Sequence, residues 1–159
     1  MQIKDIVYED FLQYKKPSMF IICPRCTFKC DKESGTQICQ NWKLAQSKNI
    51  EVDDRIIIEK YLNNPITKSI VFGGLEPFET FDELYEFLVL LRKLYHNYDD
   101  VVIYTGFNRE EIEDEIESLQ KFSNIIIKFG RYLPNQSSHF DEVLGINLAS
   151  SNQYAERIC

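Results

Sequence analysis

Residues 69–80 read SIVFGGLEPFET: an apolar run that stops at two glycines and passes into a helix start. The run 69–72 is short, continuous and β-branched, as strands buried on both faces are. Gly73-Gly74 ends it. Thr80-Phe81-Asp82-Glu83 then reads as a capping box, with Thr80 at the N-cap and Glu83 three residues on. Behind it, Leu84, Phe87, Leu88, Leu91 and Leu94 have the spacing of one apolar helix face. Strand, tight turn and amphipathic helix in that order make a unit of a parallel α/β sheet.

The same grammar extends in both directions. Residues 19–22 (MFII) form an earlier strand, and 101–104 (VVIY) and 124–127 (NIII) form later ones, with a weaker fifth over 143–148. Thr105-Gly106 and Gly130 end the third and fourth. Asp53 or Asp54 caps a helix through Ile57, Ile58, Tyr61 and Leu62, and Asn108 with Glu111 starts an acidic helix to about Lys121. The fold expected is α/β with mostly parallel strands. In such folds, sites gather at the C-terminal ends of the strands.

The 159 residues suit one domain, residues 1–159. Composition is ordinary for a globular protein, at 44% hydrophobic and 27% charged. A formal charge of −7 lacks the electropositive footprint of a nucleic-acid binder. Lys4, Asp5, Glu9 and Asp10 stand where an export signal needs an apolar segment, and no run has the length of a membrane span. The expected compartment is the reducing cytoplasm, with no membrane or nucleic-acid partner. With only His96 and His139 and no glycine-rich phosphate loop, hydrolytic triads and nucleotide phosphate sites are disfavoured.

In a reducing compartment, cysteines are better read as metal or redox groups than as disulfides. Four of the five, Cys23, Cys26, Cys30 and Cys39, follow directly on the first strand; Cys159 ends the chain. Cys26, Cys30 and Cys39 are spaced C-x3-C-x8-C, and three thiolates can hold an iron–sulfur cluster. Cys23-x2-Cys26 is equally a zinc-knuckle spacing, and all four thiolates can close a zinc site. Taken alone, the cysteines fit either metal.

Downstream turns add chemistry. Gly73-Gly74 lets main chain approach a ligand closely, and Glu76 beside it can accept hydrogen bonds from an ammonium. Tyr104-Thr105-Gly106-Phe107 follows the third strand, Lys128-Phe129-Gly130-Arg131-Tyr132 the fourth, and Ser150-Ser151-Asn152-Gln153 lies near the C-terminus.

In order and spacing these elements resemble the radical S-adenosylmethionine (SAM) superfamily, and within it the activating proteins of anaerobic ribonucleotide reductase. The resemblance covers about residues 19–153. It departs from the family pattern in three places. Glu33 occupies the position of the usual third cysteine, so residues 31–38 become a lengthened loop before Cys39. Leu75 is inserted in the Gly-Gly-Glu-Pro turn, and Phe129 replaces a common acid. The resemblance implies an open partial (β/α) barrel. It also implies a [4Fe-4S] cluster on Cys26, Cys30 and Cys39, and SAM bound through Gly73, Gly74, Glu76, Thr105 and Arg131 or Lys128. The implied activity is reductive cleavage of SAM to a 5′-deoxyadenosyl radical, with no catalytic residues beyond the cofactor ligands. That radical would install a glycyl radical on an anaerobic ribonucleotide reductase or another glycyl radical protein, with flavodoxin or ferredoxin as electron donor. Two alternatives stay open: a radical SAM enzyme with a different partner or substrate, and a non-catalytic zinc-binding interaction module.

Overall fold

A computed structural model describes all residues, Met1–Cys159. Its strands are β1 (Gln2–Ile3), β2 (Asp5–Asp10), β3 (Ser18–Ile22), β4 (Ile50–Glu51), β5 (Ser69–Gly73), β6 (Asp100–Tyr104), β7 (Ile125–Phe129), β8 (His139–Asp141), β9 (Ile146–Leu148) and β10 (Tyr154–Arg157). Its helices are α1 (Lys29–Ser34), α2 (Trp42–Ala45), α3 (Asp54–Leu62), α4 (Phe81–Val89) and α5 (Glu113–Leu119).

One sheet of six strands runs in the order β10-β7-β6-β5-β3-β2. Its four central strands are parallel, β3 to β5, β5 to β6 and β6 to β7. The edges are antiparallel, β2 on β3 and β10 on β7. Each parallel return is made through a helical connection, as parallel pairing demands. The first and last strands do not meet, so the sheet is open and no barrel closes.

Every residue of β5 and β7 is buried, including Lys128, which interrupts the apolar run of β7. On one face, Met19, Ile21, Phe72, Ile103 and Ile127 pack against Ile57 and Tyr61 of α3, Phe87 and Leu88 of α4, and Leu119 of α5. On the other, Val71, Val102 and Ile126 are covered by Tyr14, Leu144 and Leu148. That second face is covered by the segment that carries Tyr14 and by the β8–β9 hairpin rather than by helices. No helix is long and apolar enough to cross a membrane.

Several local expectations change. Residues 143–148 do not extend the parallel sheet; β9 pairs antiparallel with β8 in a separate hairpin. The neighbour of β7 is β10 instead, and the Ser150–Gln153 turn leads into it. Thr80 forms no side-chain cap on α4, because a 3-10 turn over Pro77–Thr80 already precedes it. Glu83 accepts from the Gln2 amide at 2.5 Å, tying the N-terminus to α4. Leu94 is 54% exposed, because residues Leu90–Leu94 form a π-helical turn that rotates it off the apolar stripe. Asp53 caps α3 by accepting from Arg55 N at 2.9 Å, as the sequence suggests. Glu111 likewise accepts from Asn108 N at 2.8 Å, although α5 proper starts two residues later.

Candidate metal and cofactor site

The C-terminal ends of β3, β5, β6 and β7 open into one cavity of about 380 Å³. That is within the roughly 300–1,000 Å³ range of small-molecule sites. Its wall includes Cys26, Cys30, Cys39, Gly74, Glu76, Thr105, Lys128 and Arg131. Of the cluster and SAM ligands that the resemblance implies, only Gly73 stays behind the wall, as the last residue of β5.

Strand alternation settles where Cys23 goes. Met19, Ile21 and Cys23 fall on one side of β3 and its extension, and all three lie in the core under the helices. Cys23 N still donates to Gly73 O at 2.9 Å, continuing the ladder. Burial pushes the Cys23 thiol far above its ordinary range. The chain leaves the sheet at Pro24, and the next cysteines face the cavity. A Phe28 residue in the left-handed conformation (φ 54°) turns the chain, and its amide donates to Cys26 Sγ at 3.3 Å. Burial raises the Cys26 thiol to about 11; burial, then the neighbouring Cys39, raises that of Cys30. Without a metal these thiols carry protons, which a bound metal must displace.

The residues 31–38 excursion is not a plain loop. It starts inside α1, turns at Gly35 (φ 69°) and returns to Cys39. Asp31, which belongs to no recognisable sequence motif, accepts from both Ile38 N and Cys39 N at 2.8 Å. Asn41 then donates to Gly74 O at 2.5 Å, and Glu76 N to Arg25 O at 2.8 Å. The cysteine segment is thereby fastened to the glycine turn on both sides.

The glycine turn has packing reasons for its composition. A Cβ on Gly74 would meet Ile22 Cγ2 at 2.7 Å, and its φ of +83° already favours glycine. A Cβ on Gly73 would meet Tyr104 Cβ at 3.0 Å. The inserted Leu75 points into the core, 7% exposed, and sets Glu76 into the cavity. Glu76 Oε1 accepts from Thr105 Oγ1 at 2.7 Å and Phe78 N at 3.2 Å, while Oε2 accepts from Gly106 N at 2.8 Å. A carboxylate offers about four acceptor sites, so one remains. Burial lifts its pKa to about 7 against these three bonds, which favour the charged form.

Three cations line the cavity; Lys29 is paired with Glu111, and the other two are in different situations. Arg131 is engaged: Nη1 and Nη2 each donate to Glu111 at 2.8 Å, and Nε lies 3.1 Å from Glu33. Its guanidinium also sits over the Phe107 ring, 5.8 Å from the centroid. Lys128 is 7% exposed and gives one hydrogen bond, 2.8 Å, to Gly130 O. An ammonium has three donors, so two are uncommitted in direct contacts. Burial lowers its pKa to about 8, and Glu76 opposes that fall. Gln153 Nε2 and Asn152 Nδ2 clamp the same turn, donating to Gly130 O at 3.2 Å and Arg131 O at 2.8 Å.

The donor set bears on the metal. Nowhere do three or more His, Cys, Asp or Glu side chains converge as ligands of one ion. A single zinc ion draws its ligands to about 2.0–2.3 Å from one point. A cubane cluster takes each thiolate on a different iron, so its ligands share a cavity without converging. Cys26, Cys30 and Cys39 line one cavity, and Cys23 lies apart from them in the core.

A sequence profile of the family described as 4Fe-4S single cluster domain matches residues 18–154. No curated protein and no solved structure matches the chain.

Proposed function

Because the chain belongs to the 4Fe-4S single cluster domain family, we propose that it is a radical SAM enzyme with its cluster on Cys26, Cys30 and Cys39. In its specific form, the reading is reductive cleavage of SAM to install a glycyl radical on an anaerobic ribonucleotide reductase. Flavodoxin or ferredoxin would be the electron donor and the cytoplasm the compartment, and the open parallel sheet would stand for a partial barrel. One observation carries the proposal. Three thiols meet a buried carboxylate and a buried ammonium in a single cavity at the C-terminal edge of parallel strands.

Glu76 and Lys128 together suit an amino-acid headgroup. The open acceptor site of Glu76 takes an ammonium, and the uncommitted donors of Lys128 take a carboxylate. Thr105 and Gly106 hold Glu76 in place, so little reorganisation is needed on binding. Of the three cations, Lys128 is the better partner for a ligand carboxylate, since Lys29 is paired with Glu111 and Arg131 with Glu111 and Glu33. Cluster and SAM, when bound, supply one-electron chemistry; the protein binds, orients and shields them.

A second reading keeps the chemistry and changes the partner. Phe129 favours it: a fully buried ring stacked on Tyr154 at 5.2 Å stands where the resembling activators often carry an acid.

The test is anaerobic reconstitution, analysis of iron, sulfide and zinc, and then reduction with dithionite in the presence of SAM. Four irons and four sulfides per chain with release of 5′-deoxyadenosine and methionine support the proposal. Cleavage without transfer to a candidate reductase selects the second reading. One zinc and no sulfide identifies a zinc-binding interaction module instead.

A further inference from the structure

The eight residues between Cys30 and Cys39 have to leave and return, because cluster ligands must share one cavity. No main-chain hydrogen bond outside regular helices and strands involves residues 35–40. The return is therefore held by side chains. Ser34 Oγ donates to Thr36 O at 2.6 Å within the turn. Asp31 does the closing, with one oxygen, Oδ1, accepting from Ile38 N and Cys39 N at 2.8 Å each. The Cys30 Sγ lies 4.0 Å from that same oxygen. Asp31 is adjacent to Cys30 in sequence and bonded to Cys39 in space, so it sets the distance between the two thiols.

We infer that Asp31 is a positioning residue that brings Cys39 beside Cys30, making the C-x8-C spacing serve as a short one does. The inference rests on the reading of Cys26, Cys30 and Cys39 as cluster ligands. Its mechanism is acceptance of two amide hydrogens, not negative charge. Asparagine retains the accepting oxygen and lacks the charge; alanine lacks both.

The experiment compares the parent, Asp31→Asn and Asp31→Ala. Iron-free protein is first equilibrated with glutathione. The readout is the equilibrium constant for Cys30–Cys39 disulfide formation, two thiols and one oxidised glutathione giving one disulfide and two reduced glutathiones. Both variants remove the charge, so their difference isolates the accepting oxygen. The expected result is Asn within about threefold of the parent and Ala lower by about tenfold or more, the size of one lost hydrogen bond. The same three proteins are then reconstituted, with four irons expected in parent and Asn and a deficit in Ala. Ala equal to the parent in both measurements overturns the inference and leaves the cluster reading standing. Asn falling with Ala in the disulfide equilibrium overturns the hydrogen-bond mechanism and with it the inference. A parent that takes up no iron and sulfide defeats the cluster reading; the disulfide equilibrium still decides whether Asp31 positions Cys39.

Discussion

The Thr105 hydroxyl donates to Glu76 Oε1 at 2.7 Å, joining the turns that follow two neighbouring parallel strands, β5 and β6. Both residues are buried, at 2% and 7% exposure. The bond fixes a buried carboxylate of the cavity that the thiols share, and it makes the proton affinity of Glu76 a property of the fold.

Stability of the iron-free protein is expected to fall as pH rises from 5 to 7. Burial raises the folded pKa of Glu76 to about 7 from an ordinary 4.5. A raised folded pKa contributes stability that is present below the unfolded pKa and lost as pH passes the folded one. The loss is on the order of 3 kcal/mol. Urea midpoints across that window measure it, and Glu76→Gln should flatten the slope. An unchanged slope in the Gln variant would remove Glu76 as its source.

Gly74→Ala and Gly35→Ala should differ although both glycines have positive φ. At Gly74 the added Cβ meets Ile22 Cγ2 at 2.7 Å; at Gly35 nothing lies within 4 Å. Left-handed backbone costs alanine about 1–2 kcal/mol at either site. Overpacking adds about 1–3 kcal/mol at Gly74 alone. Chemical denaturation of both variants gives the comparison; equal losses would contradict the contact.

Cys23→Ser and Cys39→Ser separate core from site. Cys23 is in the core, so its serine variant should lose about 1–3 kcal/mol from a buried hydroxyl yet bind iron like the parent. Cys39→Ser should keep its stability and lose iron. Parent-level iron in the Cys39 variant would break the ligand assignment.

Lys128→Met should weaken SAM binding more than Arg131→Gln does. Lys128 has donors to spare inside the cavity, and Arg131 is held by Glu111. A hydrogen bond to a charged group is worth about 1.5–3 kcal/mol, a tenfold or larger rise in Kd. Calorimetry on reconstituted protein decides it. A larger effect at Arg131 would restore it as the carboxylate partner.

Reading the sequence located the four parallel strands to within a residue or two, because unbroken β-branched runs have few other ways to be buried. Cys23 was open to the same reasoning, since Met19, Ile21 and Cys23 alternate on one strand face. The failures lie where a local pattern had a distant competitor. Thr80 and Glu83 spell a capping box, but Glu83 is taken by Gln2 N from the start of the chain. Leu94 fits the apolar stripe of α4 until a π-turn shifts it. Arg131 has a free cation's sequence and an engaged cation's surroundings, because Glu33 and Glu111 arrive from separate elements.

The alternation of strands and helices and the spacing of the thiols are written locally in the chain. So is the glycine turn after a buried strand, since each rests on near neighbours and on simple periodicity. That three cysteines, and not four, face one cavity with Glu76 and Lys128 follows from the packed fold alone. The same fold alone shows that Asp31 closes the long loop and that the sheet stays open at antiparallel edges. Those outcomes depend on contacts between residues far apart in the chain, and no local pattern encodes which distant partner a side chain meets.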